Sequence, residues 1–382
     1  MPKALCALLL IISLVFVGTP TVRALPSETA DAAPALSAAS AILTDEDGKI
    51  LAAKDAHRRM GPASTTKIMT ALLVLETCDP AAVITIPKEA VGIEGSSIYL
   101  CEGEALTVTQ LLYAMLLASA NDAATALALY VSGSVEAFAA RMNEKAAALG
   151  LTDTHFENPH GLASETHYTT AYDLAIITTR ALRDPLFCEI VSTYKTTIPL
   201  GGDEGTRVLV NHNKMLRRYD GAIGVKTGYT KATGRTLVSA AERDGLRLIA
   251  VTLDASNDWN DHCALLDYGF AHYERVTLCR LGEPLATLPV AAGLEEYVTL
   301  TATESLSLTL PKERTQEPCR TIESTWHFLC APVSAGQVAA RAMFAYEGAT
   351  YFVPLMTAAE IARKKPIKES PLDRILHFFS PD

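Results

Sequence analysis

The apolar positions of this chain change period several times, and each change marks an element. Across residues 37–58 short apolar runs flank Asp45-Glu46-Asp47-Gly48, which predicts two strands around a turn. From Ser64 the period becomes helical, with Ile68, Leu72 and Leu75 on one stripe and Met69 beside it. Further helices are expected over 107–118, from Asn121 onward, and over 135–149. Residues 192–200 and 206–210 read as extended. Residues 222–226, 235–242 and 247–253 read as strands, the last two joined by Asp244-Gly245, a dipeptide suited to a two-residue hairpin turn. A helix over 258–273 closes this region.

The texture then changes. Residues 275–354 hold short Val, Leu, Thr and Tyr runs broken by Gly and Pro, which suits a small β-domain. Beyond it Arg363, Lys364, Lys365 and Lys368 precede Leu372, Ile375, Leu376, Phe378 and Phe379. Those apolar positions share one helical face, so a basic, amphipathic tail is expected to lie on the outer face of the cytoplasmic membrane, as a peripheral contact with anionic lipid. The alternative is a helix docked on its own protein. At the other end, Lys3 and the 14-residue apolar run 4–17 are followed by Gly18, Pro20 and the small-residue stretch Val22-Arg23-Ala24. This reads as an export signal over 1–24, too short for a comfortable span, with a linker over 25–36. The expected organisation is therefore signal 1–24, linker 25–36, main domain 37–273, β-domain 274–355 and tail 356–382, in an exported, extracytoplasmic protein.

Hydrophobic residues make up 49% of the chain and charged residues 20%, enough for a core and too apolar for intrinsic disorder. A net charge of -10 argues against nucleic-acid binding, which draws on Lys and Arg at phosphates. Loss of Cys6 with the signal leaves Cys78, Cys101, Cys188, Cys263, Cys279, Cys319 and Cys330. The odd number leaves at least one unpaired within the chain. Cys319 and Cys330 are candidates for a hairpin bridge, and most of the others are expected as small core residues. Without C-x-x-C or H-E-x-x-H, neither a structural zinc site nor a metalloprotease is indicated, and no cofactor is implied.

An activated serine is the remaining route to hydrolysis. No G-x-S-x-G is present, and His155 and His160, flanking a Phe-Glu-Asn-Pro loop, read as hydrogen-bonded loop residues rather than bases. Lysine offers another base. Ser64-Thr65-Thr66-Lys67 is an S-x-x-K at a helix start, where a spacing of three puts both side chains on one face, about 5–6 Å apart at Cβ. A second S-x-x-K, Ser192 to Lys195, runs into an alternating segment, where a strand would turn its Ser and Lys apart. Ser119-Ala120-Asn121 is the sole S-x-N, between two helices, and Lys226-Thr227-Gly228 the sole K-T-G, at a strand end.

Each part of this set has a task. Ser64 attacks a carbonyl once Lys67, as a neutral amine, takes its proton; desolvation and the like charge of Lys226 would favour that neutral form. Ser119 relays a proton to the leaving amine, and Asn121 holds a substrate amide. Lys226 and Thr227 face a terminal carboxylate, and Gly228 leaves room for a ligand backbone along the strand edge.

S-x-x-K, S-x-N and K-T-G in this order resemble the serine-type D-alanyl-D-alanine carboxypeptidases, the low-molecular-mass penicillin-binding proteins. The blocks Pro62 to Ala71, Gly95 to Leu100, Asn121 to Ala124, Asn158 to Leu162 and Gly224 to Thr230 are also similar to that family, most of all to its Gram-positive, spore-forming branch. The resemblance implies an α/β (α+β) fold: a penicillin-binding-protein/serine β-lactamase-like domain, with an antiparallel sheet flanked by a helical cluster, and a small C-terminal β-domain. It implies release of the last D-Ala from peptidoglycan stem peptides through an acyl-enzyme on Ser64, penicillin as a covalent inhibitor, and an oxyanion hole from the N–H groups of Ser64 and Tyr229. Arg235 departs from the family pattern and is expected to be structural rather than a carboxylate contact. A serine β-lactamase is disfavoured by the absence of E-x-x-x-N, and a catalytically silent peptidoglycan-binding protein by the intact set.

Overall fold

The computed structural model describes residues 34–201 and 205–365. The expected signal, most of the linker, and the tail beyond Lys365 lie outside the described residues.

In chain order the first strands are β1 (Ser40–Asp45) and β2 (Ile50–Lys54), followed by a 3-10 turn at Ala63–Thr66 and helix α1 (Lys67–Thr77). A short ribbon, β3 (Val83–Thr85) with β4 (Ala105–Thr107), leads into α2 (Val108–Leu117), α3 (Asn121–Ser132), α4 (Val135–Ala148), α5 (Ala171–Ala181) and α6 (Pro185–Ser192). The hairpin β5 (Lys195–Pro199) and β6 (Thr206–Val210), the turn α7 (Met215–Arg218), strands β7 (Ala222–Thr230), β8 (Gly234–Arg243) and β9 (Leu246–Leu253), and α8 (Asp258–His272) complete the first region.

Its centre is a five-stranded antiparallel sheet, ordered β2-β1-β9-β8-β7. Both faces are buried, so successive residues of β9 feed different cores. Ile249, Val251 and Leu253 pack with the cluster of α1 to α6, whereas Leu248 and Ala250 pack with Leu265 and Leu266 of α8. The β8–β9 hairpin turns at Asp244 and Gly245, with φ of 51° and 76°. Positive φ at both positions is what a type I′ turn requires, as the dipeptide predicts.

The helix ends follow local chemistry. Thr107 and Gln110 form a reciprocal capping box on α2. Asp184 accepts from Leu186 N–H and Phe187 N–H, with Pro185 in the first turn, and so opens α6. That start signal was passed over in reading Ser192 as extended: Ser192 is the last residue of α6, and only from Lys195 does the chain become a strand.

The second region holds β10 (Tyr273–Cys279), β11 (Pro284–Ala291), β12 (Tyr297–Ala302), β13 (Leu306–Pro311), β14 (Cys319–Glu323), β15 (Leu329–Cys330), β16 (Val338–Tyr346) and β17 (Ala349–Thr357). Six of these form one sheet, ordered β14-β16-β17-β12-β11-β15, over its own core of residues such as Leu300, Ala342 and Leu355. β10 pairs with β13, and this ribbon is tied back to the β1–β2 turn by Arg275, which reaches Glu46 at 3.0 Å and Asp47 at 2.7 Å. β17 runs to Thr357 and Ile361 bridges Val333, so regular pairing continues past residue 355, where the tail was expected to start.

The expected bridge between Cys319 and Cys330 is corrected. All seven described cysteines are free. Cys319 and Cys330 sit on β14 and β15, the two opposite edges of the six-stranded sheet, so no hairpin brings them together. Among the described cysteines Cys279 is buried, Cys78, Cys188 and Cys263 are half-buried and pack against the cores, and Cys101, Cys319 and Cys330 are exposed.

Candidate active site

Ser64 and Lys67 straddle the junction between the 3-10 turn and α1. Three residues per turn eclipses positions i and i+3, which brings the two side chains closer in line than an α-helix does. Lys67 N–H donates to Ser64 O, and Lys67 Nζ stands 3.1 Å from Ser64 Oγ. Ala63, at φ 48°, enters the turn through a left-handed conformation unusual for a residue with a Cβ. Backbone strain of this kind concentrates at functional sites.

The lysine is fully buried, yet no carboxylate among the described residues bonds to it. Its Nζ donates to Asn121 Oδ1 and to the His160 main-chain oxygen, each at 2.7 Å. Burial first, and then the like charge of Lys226, hold this amine well below the usual lysine range, against a smaller opposing pull from Asp122. A neutral amine has two N–H groups and one lone pair. Two oxygens occupy the N–H groups, which leaves the lone pair for the Ser64 hydroxyl.

The opposite wall comes from Ser119 and β7. Ser119 breaks the chain between α2 and α3 with φ of 61°, and Asn121 opens α3. Asn121 N–H donates to Ser96 O at 2.7 Å and its Nδ2 to Glu94 O at 2.6 Å, so the Oδ1 end is directed at Lys67. In β7 the pairing register shifts between Ala222 and Gly224, and Val225 has φ of 95°. Such a bulge re-aims the side chains that follow it. K-T-G therefore lies inside a strand rather than at its end, directly after the bulge. Lys226, 1% exposed, donates to Ser119 Oγ at 3.0 Å and to Thr227 O at 2.8 Å. Burial alone brings its pKa down to about 7.

β7 is the open edge of the central sheet, and it passes Ser64 closely. A Cβ added at Gly228 would fall 2.9 Å from Ser64 N and 2.3 Å from Thr236 Oγ1. Glycine is required there by contact with the protein itself, in addition to the room a ligand backbone would need. Thr227 is half-buried, and Tyr229 is exposed at the mouth. The three motifs thus converge: Ser64, Lys67 and Asn121 form one hydrogen-bonded group, and Lys226 with Ser119 forms a second one beside it.

One contributor was missed. The loop carrying His160 docks on α1 through Thr70 Oγ1, which donates to Pro159 O at 2.6 Å, and through His167. His167 Nδ1 accepts from Glu157 N–H, so its Nε2 carries the proton and donates to Thr66 Oγ1 at 2.9 Å. His155 and His160 are hydrogen-bonded loop residues, as expected: His155 Nδ1 pairs with Thr166 O and His160 Nδ1 with Leu162 N–H. It is the His160 carbonyl, which no side-chain motif advertises, that serves the site.

Two other residues resolve plainly. Arg235 pairs across the strands with Tyr229. Its neighbour Thr236 faces the Ser64 turn and donates to Pro62 O, so strand alternation turns Arg235 to the other face, where it lies 3.7 Å from Asp258 of α8. The second S-x-x-K is split between α6 and β5, with the Ser192 hydroxyl on Glu189 O and Lys195 exposed.

Residues 27–257 match the D-alanyl-D-alanine carboxypeptidase family, and residues 273–363 match the penicillin-binding protein 5 C-terminal domain. The chain belongs to the D-alanyl-D-alanine carboxypeptidase family. It is 33% identical over 342 residues to the D-alanyl-D-alanine carboxypeptidase DacF of Bacillus subtilis, covering 87% of this chain and 86% of that protein. Among solved structures, penicillin-binding protein 5 from Haemophilus influenzae superposes with a TM-score of 0.70 at 29% identity, over 87% of this chain and all (100%) of that one. A peptidoglycan synthesis regulatory factor from Streptococcus pneumoniae does so with a TM-score of 0.73 at 25% identity, over 86% and 100% of the two chains. The α+β fold with an antiparallel sheet, helical cluster and C-terminal β-domain is that of these penicillin-binding proteins.

Proposed function

We infer that this D-alanyl-D-alanine carboxypeptidase works through Ser64, with Lys67 as the base. The observation that carries the assignment is the Lys67 amine: buried, held by two neutral oxygens, with its remaining valence toward Ser64 Oγ. The substrate is the D-Ala-D-Ala end of a peptidoglycan stem peptide. Lys67 takes the Ser64 proton as Oγ bonds to the carbonyl carbon of the penultimate D-Ala, and the N–H groups of Ser64 and Tyr229 receive the oxyanion. The proton passes through Ser119 to the leaving nitrogen, the C–N bond breaks, and D-alanine departs from the Lys226 and Thr227 side. Water then attacks the ester, giving its proton to Lys67, and Ser64 is regenerated. Penicillin acylates the same oxygen.

The test is direct. The purified chain incubated with a D-Ala-D-Ala pentapeptide should release free D-alanine and label covalently with fluorescent penicillin. Ser64→Ala should lose both, and retained labelling would move the nucleophile elsewhere.

The location is also part of this reading. An export signal over 1–24 and a basic, amphipathic stretch after Arg363 support an extracytoplasmic enzyme resting on the membrane surface. Deleting residues 371–382 should release the protein from anionic vesicles with soluble activity unchanged. Vesicle binding that survives the deletion would place the contact elsewhere.

A further inference from the structure

The segment from Glu94 to Leu100 wraps the end of α3 that brings Asn121 into the site. Asn121 itself bonds to Glu94 O and Ser96 O. The buried Asp122 carboxylate accepts from Ser97 Oγ at 2.6 Å, Ile98 N–H at 3.2 Å and Leu100 N–H at 3.1 Å. From the other side comes Arg207 of β6. Its Nε donates to Ile98 O at 3.0 Å and its Nη2 to Tyr99 O at 3.2 Å, while the guanidinium forks onto Glu104. Glu104, 5% exposed, also accepts from Cys101 N–H and Gly201 N–H, both at 3.1 Å.

Between these clamps sits Tyr99. Its N–H donates to Ser97 Oγ at 2.8 Å, its φ is 59°, and the residue is 83% exposed. A bulky residue in the left-handed region is strained, and an aromatic ring left in water returns nothing to the fold. The protein holds the backbone on every side and leaves the ring uncovered. Fixing a contact group before its ligand arrives is what preorganisation requires.

We propose that Tyr99 is a substrate-contacting residue that sets preference for long stem peptides, and that the Arg207–Glu104 pair is its positioning device. This rests on the carboxypeptidase reading. With the terminal carboxylate at Lys226, the rest of the donor peptide must leave past the Gly228–Tyr229 edge and the Glu94–Leu100 segment. Tyr99 belongs to that segment and Tyr229 to that edge, and both are exposed. An aromatic face suits the methylene and amide atoms of the stem residues that precede D-Ala-D-Ala.

The experiment compares the full chain with Tyr99→Ala, Arg207→Lys and the double variant on three probes: a stem pentapeptide, N-acetyl-D-Ala-D-Ala and 6-aminopenicillanic acid, a penicillin without its acyl side chain. Arg207→Lys keeps a charge for Glu104 but loses the fork that reaches both carbonyls. Tyr99→Ala should lower kcat/KM for the pentapeptide about tenfold, mainly through KM, and leave the two small probes within about twofold. Arg207→Lys should reproduce part of the same selective loss, and the double variant should be no worse than Tyr99→Ala. Equal losses on all three probes, or no loss on the pentapeptide, would overturn the proposal. A wild-type chain that releases D-alanine from neither peptide would instead refute the carboxypeptidase reading on which it rests.

Discussion

Lys67 Nζ lies 3.1 Å from Ser64 Oγ and is held there by oxygens of Asn121 and His160, neither of them charged. A carboxylate in either position would have stabilised the ammonium and removed the lone pair. Neutral acceptors fix the nitrogen without restoring its proton, so geometry and basicity are set by the same contacts.

Removal of this amine tests that link. Lys67→Ala should lower acylation by peptide and penicillin by about 10²–10⁴-fold with the fold intact, the range typical of a lost general base. Stopped-flow labelling with fluorescent penicillin, alongside circular dichroism, measures both. Acylation at the wild-type rate would remove Lys67 from its role.

The two lysines predict opposite limbs of a pH profile. Lys67 must be neutral, so kcat/KM should fall as pH drops through its lowered pKa. Lys226 must be charged to hold a carboxylate, so activity should also fall as pH rises past about 7. Lys226→Arg, whose guanidinium stays charged, should carry the alkaline limb to higher pH at reduced activity. An unmoved limb would assign it to another group.

Burial of Lys226 should also depress stability. Its folded pKa of about 7 lies below its unfolded value, so the charged form is disfavoured in the fold. The penalty is complete below about pH 7 and fades as pH climbs toward the unfolded lysine value. Lys226→Met should therefore raise stability by about 1–3 kcal/mol at pH 6, and by less at pH 9, while abolishing grip on the carboxylate. Thermal melts across pH read this out; a destabilised variant at every pH would contradict it.

Gly161 offers a test of the His160 carbonyl. It has φ of 88°, and an added Cβ would stand 1.8 Å from Ala63 O. Backbone cannot yield there, so Gly161→Ala should lift the loop from Lys67 and cost activity along with about 2 kcal/mol or more of stability. Gly150→Ala is the control: φ is 77°, but nothing lies within 4 Å. It should cost about 1 kcal/mol and leave turnover intact. Equal effects at the two sites would mean that the loop's seat on Ala63 is unimportant.

Much of this was legible in the order of residues. Period and turn chemistry located β1, β2, β8, β9 and the helices α1 to α4, because strand alternation, the Asp244-Gly245 turn and the helical stripes are local properties. Ser64 and Lys67 could be paired from a spacing of three read at a helix start, whereas the same spacing at Ser192 and Lys195 spans a helix end and a strand and brings nothing together. Period and spacing could not supply contacts between elements; the motif set put Lys226 opposite Lys67, but not the neighbours that hold each group. Asn121 reaches Lys67 because α3 packs on α1, and Lys226 reaches Ser119 because β7 packs beside the end of α2. The His160 carbonyl has no side-chain signature at all. The bridge was misjudged for the same reason: Cys319 and Cys330 are near in sequence, and sheet order sends them to opposite edges. Local preference is written residue by residue, whereas a shared cleft is decided by which faces must be buried together.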